Sequence, residues 1–136
     1  NKAIKREEPD YVIFLGDCVR DFLKLCDEYG HINSYVVQGN CDYGQNMFPE
    51  VQTVNIGGKR FYITHGHRER VKTGYMTLCA AALEAEADIV LFGHTHRTYD
   101  DFYAGIKLFN PGSIGIKNYG IIMLENGDFS AELKCI

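Results

Sequence analysis

Short unbroken apolar runs alternate along the chain with stretches in which apolar residues recur every three or four positions. Tyr11–Leu15, Ser34–Gln38 and Ile89–Phe92 are runs of the first kind, and they predict strands, the first of them buried on both faces. Val19, Phe22, Leu23 and Cys26 follow the second spacing and predict a helix that Gly30 ends. Tyr75, Leu78, Cys79, Ala82 and Leu83 do the same for a helix from Tyr75 to about Glu86. Val51–Ile56 and Arg60–Thr64 alternate in polarity around Gly57-Gly58, a hairpin pattern, and Ile121–Leu124 with Phe129–Leu133 flank Asn126-Gly127 in the same way. Thr98–Tyr103 and Ile106–Asn110 read as two more strands joined at Gly105. Asn1–Glu8 is charged, opens without an N-cap, and reads as the last turns of a helix that Pro9-Asp10 breaks. The first part therefore alternates strand and helix, and the tail is mostly strands.

Composition narrows the functional classes. The 136 residues, 46% of them hydrophobic, are enough for one domain with a real core. A net charge of -4 without any Lys/Arg block argues against a nucleic-acid groove driven by bulk charge. No apolar run approaches a membrane span, and no signal-peptide pattern opens the chain. The five cysteines are odd in number, scattered, and never spaced as Cys-x-x-Cys. Neither a disulfide framework nor a cysteine zinc site is indicated, and a cytoplasmic location is expected.

The candidate chemistry sits where strands end. Four predicted strands run into Gly or Thr followed by a residue able to bind metal: Leu15-Gly16-Asp17, Gln38-Gly39-Asn40, Thr64-His65-Gly66-His67 and Phe92-Gly93-His94-Thr95-His96. Four of the five histidines fall in the two His-x-His pairs, and in extended chain the members of such a pair point to one side. Each motif alone is weak, and a lone histidine is more often structural than a ligand. Together they offer carboxylate, amide oxygen and imidazole at the ends of successive strands, where open α/β sheets place their ligands. Mixed oxygen and nitrogen donors suit Mn, Fe, Zn or similar ions, and a carboxylate bridging two of them gives a hydrolytic two-metal arrangement.

Gly16-Asp17, Gly39-Asn40-Cys41-Asp42, Thr64-His65-Gly66-His67 and Gly93-His94-Thr95-His96, in this order, resemble the calcineurin-like metallophosphoesterases, and within that superfamily the small prokaryotic phosphodiesterases. Phe109–Ser113 fits the same pattern. The resemblance implies an α/β fold, a four-layer αββα sandwich of two mixed sheets flanked by helices, and one domain over 1–136. It implies a metal-dependent phosphoesterase, most of all a phosphodiesterase, in which a metal-activated water or hydroxide attacks phosphorus in line. Two divalent transition metal ions are expected, Mn foremost, with Ni, Fe or Zn also suited, and a small phosphate ester as substrate. Asp17 would bridge the ions, Asn40, His65 and His94 would complete the second, and His96 would belong to the first. Asp17, Asn40 and His94 would carry the chemistry. His67 would stand behind the ligands. Cys41 and Asp42 are also placed behind them, Asp42 either orienting its neighbours or capping its loop, and Arg68, Arg70 and Lys72 after Thr64–His67 either meet the phosphate or form a solvated loop. His31 reads as a surface residue.

Two departures qualify the resemblance. The family opens on a strand ending in Asp-x-His, which is absent before Asp17. A first strand and most of a first helix are therefore expected to be missing, leaving the first metal only Asp17 and His96. Cys41 stands where many superfamily members carry a histidine thought to protonate the leaving group. A thiol can donate a proton, but a space-filling role is the simpler expectation. Both departures keep a rival open, a protein-binding scaffold on the same fold like a retromer subunit. The sequence carries no specific sign of self-association and leaves a homo-oligomer open. Substrate choice is assigned to the loops 45–49 and 68–74.

Overall fold

The computed structural model describes residues 2–44 and 47–136. Gln45 and Asn46, part of the loop to which the sequence assigns pocket shape, lie outside them, as does Asn1.

In chain order the elements are α1 (Lys2–Glu7), β1 (Val12–Phe14), α2 (Val19–Tyr29), β2 (Ser34–Val36), β3 (Val51–Ile56), β4 (Lys59–Thr64), α3 (Met76–Glu84), β5 (Ile89–Leu91), β6 (Thr98–Tyr103), β7 (Ile106–Pro111), a 3-10 turn (Ile114–Ile116), β8 (Asn118–Glu125) and β9 (Asp128–Cys135). The strands form a mixed five-stranded sheet in the order β3-β4-β5-β7-β6 and two separate pairs, β1-β2 and β8-β9. The middle of the large sheet, β4-β5-β7, is parallel, and hairpins at both edges make it mixed. Three tight turns close the hairpins. Each has two residues at positive φ, Gly57-Gly58, Ala104-Gly105 and Asn126-Gly127, the backbone that matches the twist of the flanking strands.

The layering is αββα. One face of the large sheet, with Tyr62, Val90, Phe92 and Leu108, packs on Leu78, Cys79 and Ala82 of α3. The other face, with Phe61, Ile63, Ile89, Leu91 and Phe109, packs on Ile13, Tyr35 and Val37 at β1-β2 and on Ile122, Leu124, Phe129 and Ala131 of β8-β9. Beyond that layer, Val19, Phe22, Leu23 and Cys26 of α2 cover Phe14 and Val36. Glu7 of α1 accepts hydrogen bonds from Tyr119 (2.7 Å) and Lys134 (3.0 Å) of the last hairpin.

Three expectations need correcting. The run at Tyr11–Leu15 forms only a three-residue strand, and it is half-buried along its length rather than buried on both faces. It is paired on one edge only, parallel to β2, and among the described residues nothing pairs with the other. The second sheet is accordingly two strand pairs instead of one continuous mixed sheet. The last hairpin runs over 118–135 rather than 121–133, because its polar outer positions obscure strand ends in the sequence.

Candidate metal centre

β1, β2, β4 and β5 all end toward the same region, and the loops leaving them carry Asp17, Asn40, His65 and His94. Two of these strands belong to the small β1-β2 pair and two to the large sheet, so the site straddles the interface of the inner layers.

His65 lies at its centre. Only 2% of its surface is exposed. Its Nδ1 is 2.7 Å from the carbonyl oxygen of Leu15. A carbonyl only accepts, so Nδ1 carries the proton and donates, and Nε2 is left as a lone pair. That lone pair faces Asn40 Oδ1 at 3.1 Å, His94 Nδ1 at 3.1 Å and Asp17 Oδ2 at 3.4 Å. Donor atoms of Asp17, His65 and His94 all lie within 4.8 Å of one another. Burial pushes the pKa of His65 down. Burial, with the neighbouring His65 and Lys72, pushes His94 down to about 4. Both rings are therefore neutral near pH 7. Asn40 Oδ1 and Asp17 Oδ2 can only accept, so two acceptors face the Nε2 lone pair, and His94 Nδ1 joins them in the tautomer that carries its proton on Nε2. A cation between them removes the repulsion. Donors held about 2.1 Å from an ion in octahedral array sit roughly 3 Å apart, the spacing seen here, so this donor set fits a divalent metal.

The frame holding these atoms is strained and cross-braced. Asp17 and Cys18 are both left-handed, at φ 54° and 61°, a conformation that costs energy for residues with a Cβ. The amide of Cys41 donates to Asp17 Oδ1 at 2.9 Å. Asp42 returns the tie, accepting from the amides of Val19 (2.9 Å) and Gly39 (2.7 Å). A Cβ at Gly39 would fall 2.1 Å from Asp17 Oδ1, so only glycine allows the two loops this approach.

The histidine-bearing loops have their own braces. Buried Glu69 accepts from Tyr62 (2.7 Å) and Thr64 (2.9 Å), fixing the turn after His65 to β4. Asn110, fully buried, donates to the Gly93 carbonyl (3.0 Å) and to Thr95 Oγ1 (3.1 Å). Neither residue was singled out for a role by the sequence. The signal for Asn110 is a polar side chain closing the apolar run of β7 just before Pro111.

The other expected site residues stand farther out. His94 and His96 both have positive φ (65° and 57°), and Thr95 turns back on Gly93. The segment is not extended, so the two rings do not lie side by side as an extended pair would. His96 is exposed and belongs to no cluster of three or more metal-binding groups among the described residues. His67 packs its ring 5.4 Å from that of His65 and 6.2 Å from that of His94. Its Nε2 meets Glu50 at 3.3 Å, and its buried Nδ1 has no hydrogen-bond partner among the described residues. Arg68 is exposed and paired with the same Glu50 at 3.1 Å. Cys41 is exposed, and the charge of Asp17, with lesser contributions from burial and Asp42, pushes its pKa up, keeping it a neutral thiol at pH 7. His31 is exposed, as expected.

Residues 1–126 match the model of the calcineurin-like phosphoesterase superfamily domain. The chain belongs to that superfamily. It is 33% identical over 126 residues to the probable metallophosphoesterase YsnB of Bacillus subtilis, a match covering 88% of this chain and 71% of that protein. It is 27% identical to the phosphodiesterase MJ0936 of Methanocaldococcus jannaschii, covering 90% of this chain and 81% of that one. Vacuolar Protein Sorting 29 of Cryptosporidium parvum has the same fold, with a TM-score of 0.75, 18% identity, and 98% and 87% of the two chains covered.

Proposed function

We propose that this protein is a metal-dependent phosphodiesterase that works at a two-metal site. The observation that carries this reading is the convergence of Asn40 Oδ1, His94 Nδ1 and Asp17 Oδ2 on the Nε2 lone pair of His65. These four residues would hold one ion, with Asp17 shared toward a second that His96 would help to bind. Mn is the ion expected first, and Ni, Fe or Zn suit these mixed oxygen and nitrogen donors equally, availability deciding among them. When bound, such ions supply a nucleophilic water near neutral pH and neutralise phosphoryl charge. The substrate is a small phosphate ester, in keeping with what the similar bacterial and archaeal proteins are named for.

The protein's own part is to place and orient. Leu15 fixes the His65 tautomer, and the Cys41 amide fixes the Asp17 carboxylate. The amide nitrogen of Asn40 donates one hydrogen to Cys41 Sγ at 3.6 Å on the exposed side, and its second hydrogen can go to a phosphoryl oxygen that grows more negative as a nucleophile attacks. Cys41, a neutral thiol, fills the rim. The scaffold alternative finds its parallel in the likeness to Vacuolar Protein Sorting 29. A scaffold, however, has no physical use for a buried histidine whose lone pair faces a carboxylate and an amide oxygen.

Hydrolysis of bis-p-nitrophenyl phosphate, with and without added Mn, tests the reading on this chain and on His94→Ala, with metal content measured in both. Metal-dependent turnover that falls at least 100-fold in the variant is expected. Turnover independent of metal, or unchanged in His94→Ala, overturns it.

A further inference from the structure

We propose that Glu50 sets the charge preference of the site, favouring phosphodiester monoanions over phosphomonoester dianions. This rests on the phosphoesterase reading above and deepens it. Beside Asn40 lies a cleft of about 210 Å³, lined among others by Gln38, Asp42, Tyr43 and Glu50. Its walls hold two carboxylates and, among the described residues, no cation. The Asp42 oxygens are each occupied by a backbone amide, of Val19 and of Gly39, and face the frame of the loops. Glu50 lines the cleft with its two oxygens turned to side-chain donors instead of to the backbone. Two groups that would otherwise stabilise an extra negative charge, the Arg68 guanidinium and the His67 Nε2–H, are both turned onto it, at 3.1 and 3.3 Å.

A substrate with its phosphorus at Asn40 places its remaining substituent in or beside this cleft. A phosphomonoester is a dianion above neutral pH and brings a second charge toward Glu50, with Arg68 already engaged. A phosphodiester carries one charge, and its second substituent is neutral. Exposed Tyr43 offers that substituent an aromatic face. Charges separated by several ångströms near a surface retain enough interaction to discriminate several-fold.

The experiment compares p-nitrophenyl phosphate with bis-p-nitrophenyl phosphate at pH 8 in Mn, for the wild-type chain, Glu50→Gln and Arg68→Ala. Glu50→Gln keeps the shape, removes the charge and releases Arg68. It is expected to raise the monoester-to-diester ratio of kcat/KM roughly fivefold or more. Arg68→Ala leaves the carboxylate without its counter-charge and is expected to move the ratio the other way. In parallel, the affinities of inorganic phosphate and dimethyl phosphate for the Mn-loaded proteins are measured calorimetrically. The same opposite shifts are expected there. If the wild type turns over neither ester, the phosphodiesterase reading fails, and the ratio of affinities alone decides about Glu50. A ratio that moves less than twofold in Glu50→Gln, by turnover or by binding, or that moves the same way in both variants, overturns the inference.

Discussion

A single tautomer fixes the chemistry of the site. Because the Leu15 carbonyl claims the Nδ1 proton of His65, Nε2 can only accept, and Asn40 Oδ1 and Asp17 Oδ2 beside it can also only accept. Burial makes the arrangement tolerable by keeping the rings neutral, and this has a consequence for pH. The folded pKa of His94 is held down at about 4, and that of His65 is lowered too. Unfolded histidines titrate near 6.5. Between these values the unfolded chain binds more protons than the folded one, so stability falls as pH is lowered through that window. Thermal unfolding of the metal-free protein should show its midpoint dropping from pH 6.5 toward pH 4, with a shallower drop in His94→Gln. An unchanged slope in that variant contradicts the assignment. Asp17, Asn40, His65 and His94 were all legible in the sequence, because each follows an apolar run cut off by Gly or Thr. Glu50 was not. It precedes a strand, matches no spacing rule, and meets His67 and Arg68 only through the fold.

Strand ends and the short loops after them are the functional elements. The ligand-bearing loops are tied across the fold: Asp17 to Cys41, Asp42 to Val19, His65 to Leu15, and Gly93 to Asn110 of β7. Asp42 is the cross-brace with the clearest test. Asp42→Ala leaves the amides at the start of α2 and at Gly39 without their acceptor. A loss of about 1–2 kcal/mol in urea unfolding is expected, together with roughly tenfold weaker metal binding as the Asp17 and Asn40 loops loosen. Unchanged metal affinity would mean the loops hold their shape without it. Element types were largely predictable, since helical stripes and hairpin turns are local patterns. Where prediction failed, the cause was not local. β1 is half-buried because, among the described residues, β2 alone pairs with it. The left-handed turn at His94–His96 reflects Asn110 reaching in from β7.

At the scale of the molecule, two layers meet at the site. β1 and β2 supply Asp17 and Asn40 from one inner layer, and β4 and β5 supply His65 and His94 from the other. An ion bound there links the layers, so binding and folding are coupled. The most direct test is the thermal unfolding midpoint followed through a Mn titration, for the wild-type chain and Asn40→Ala, whose side chain is exposed and adds little to the metal-free fold. Saturating metal at about 100 times the dissociation constant stabilises by about 2.7 kcal/mol. The predicted result is a midpoint that climbs with Mn in the wild type and needs roughly tenfold more metal to climb in Asn40→Ala. A midpoint indifferent to metal into the millimolar range, or an identical response in both proteins, would contradict a metal centre at His65.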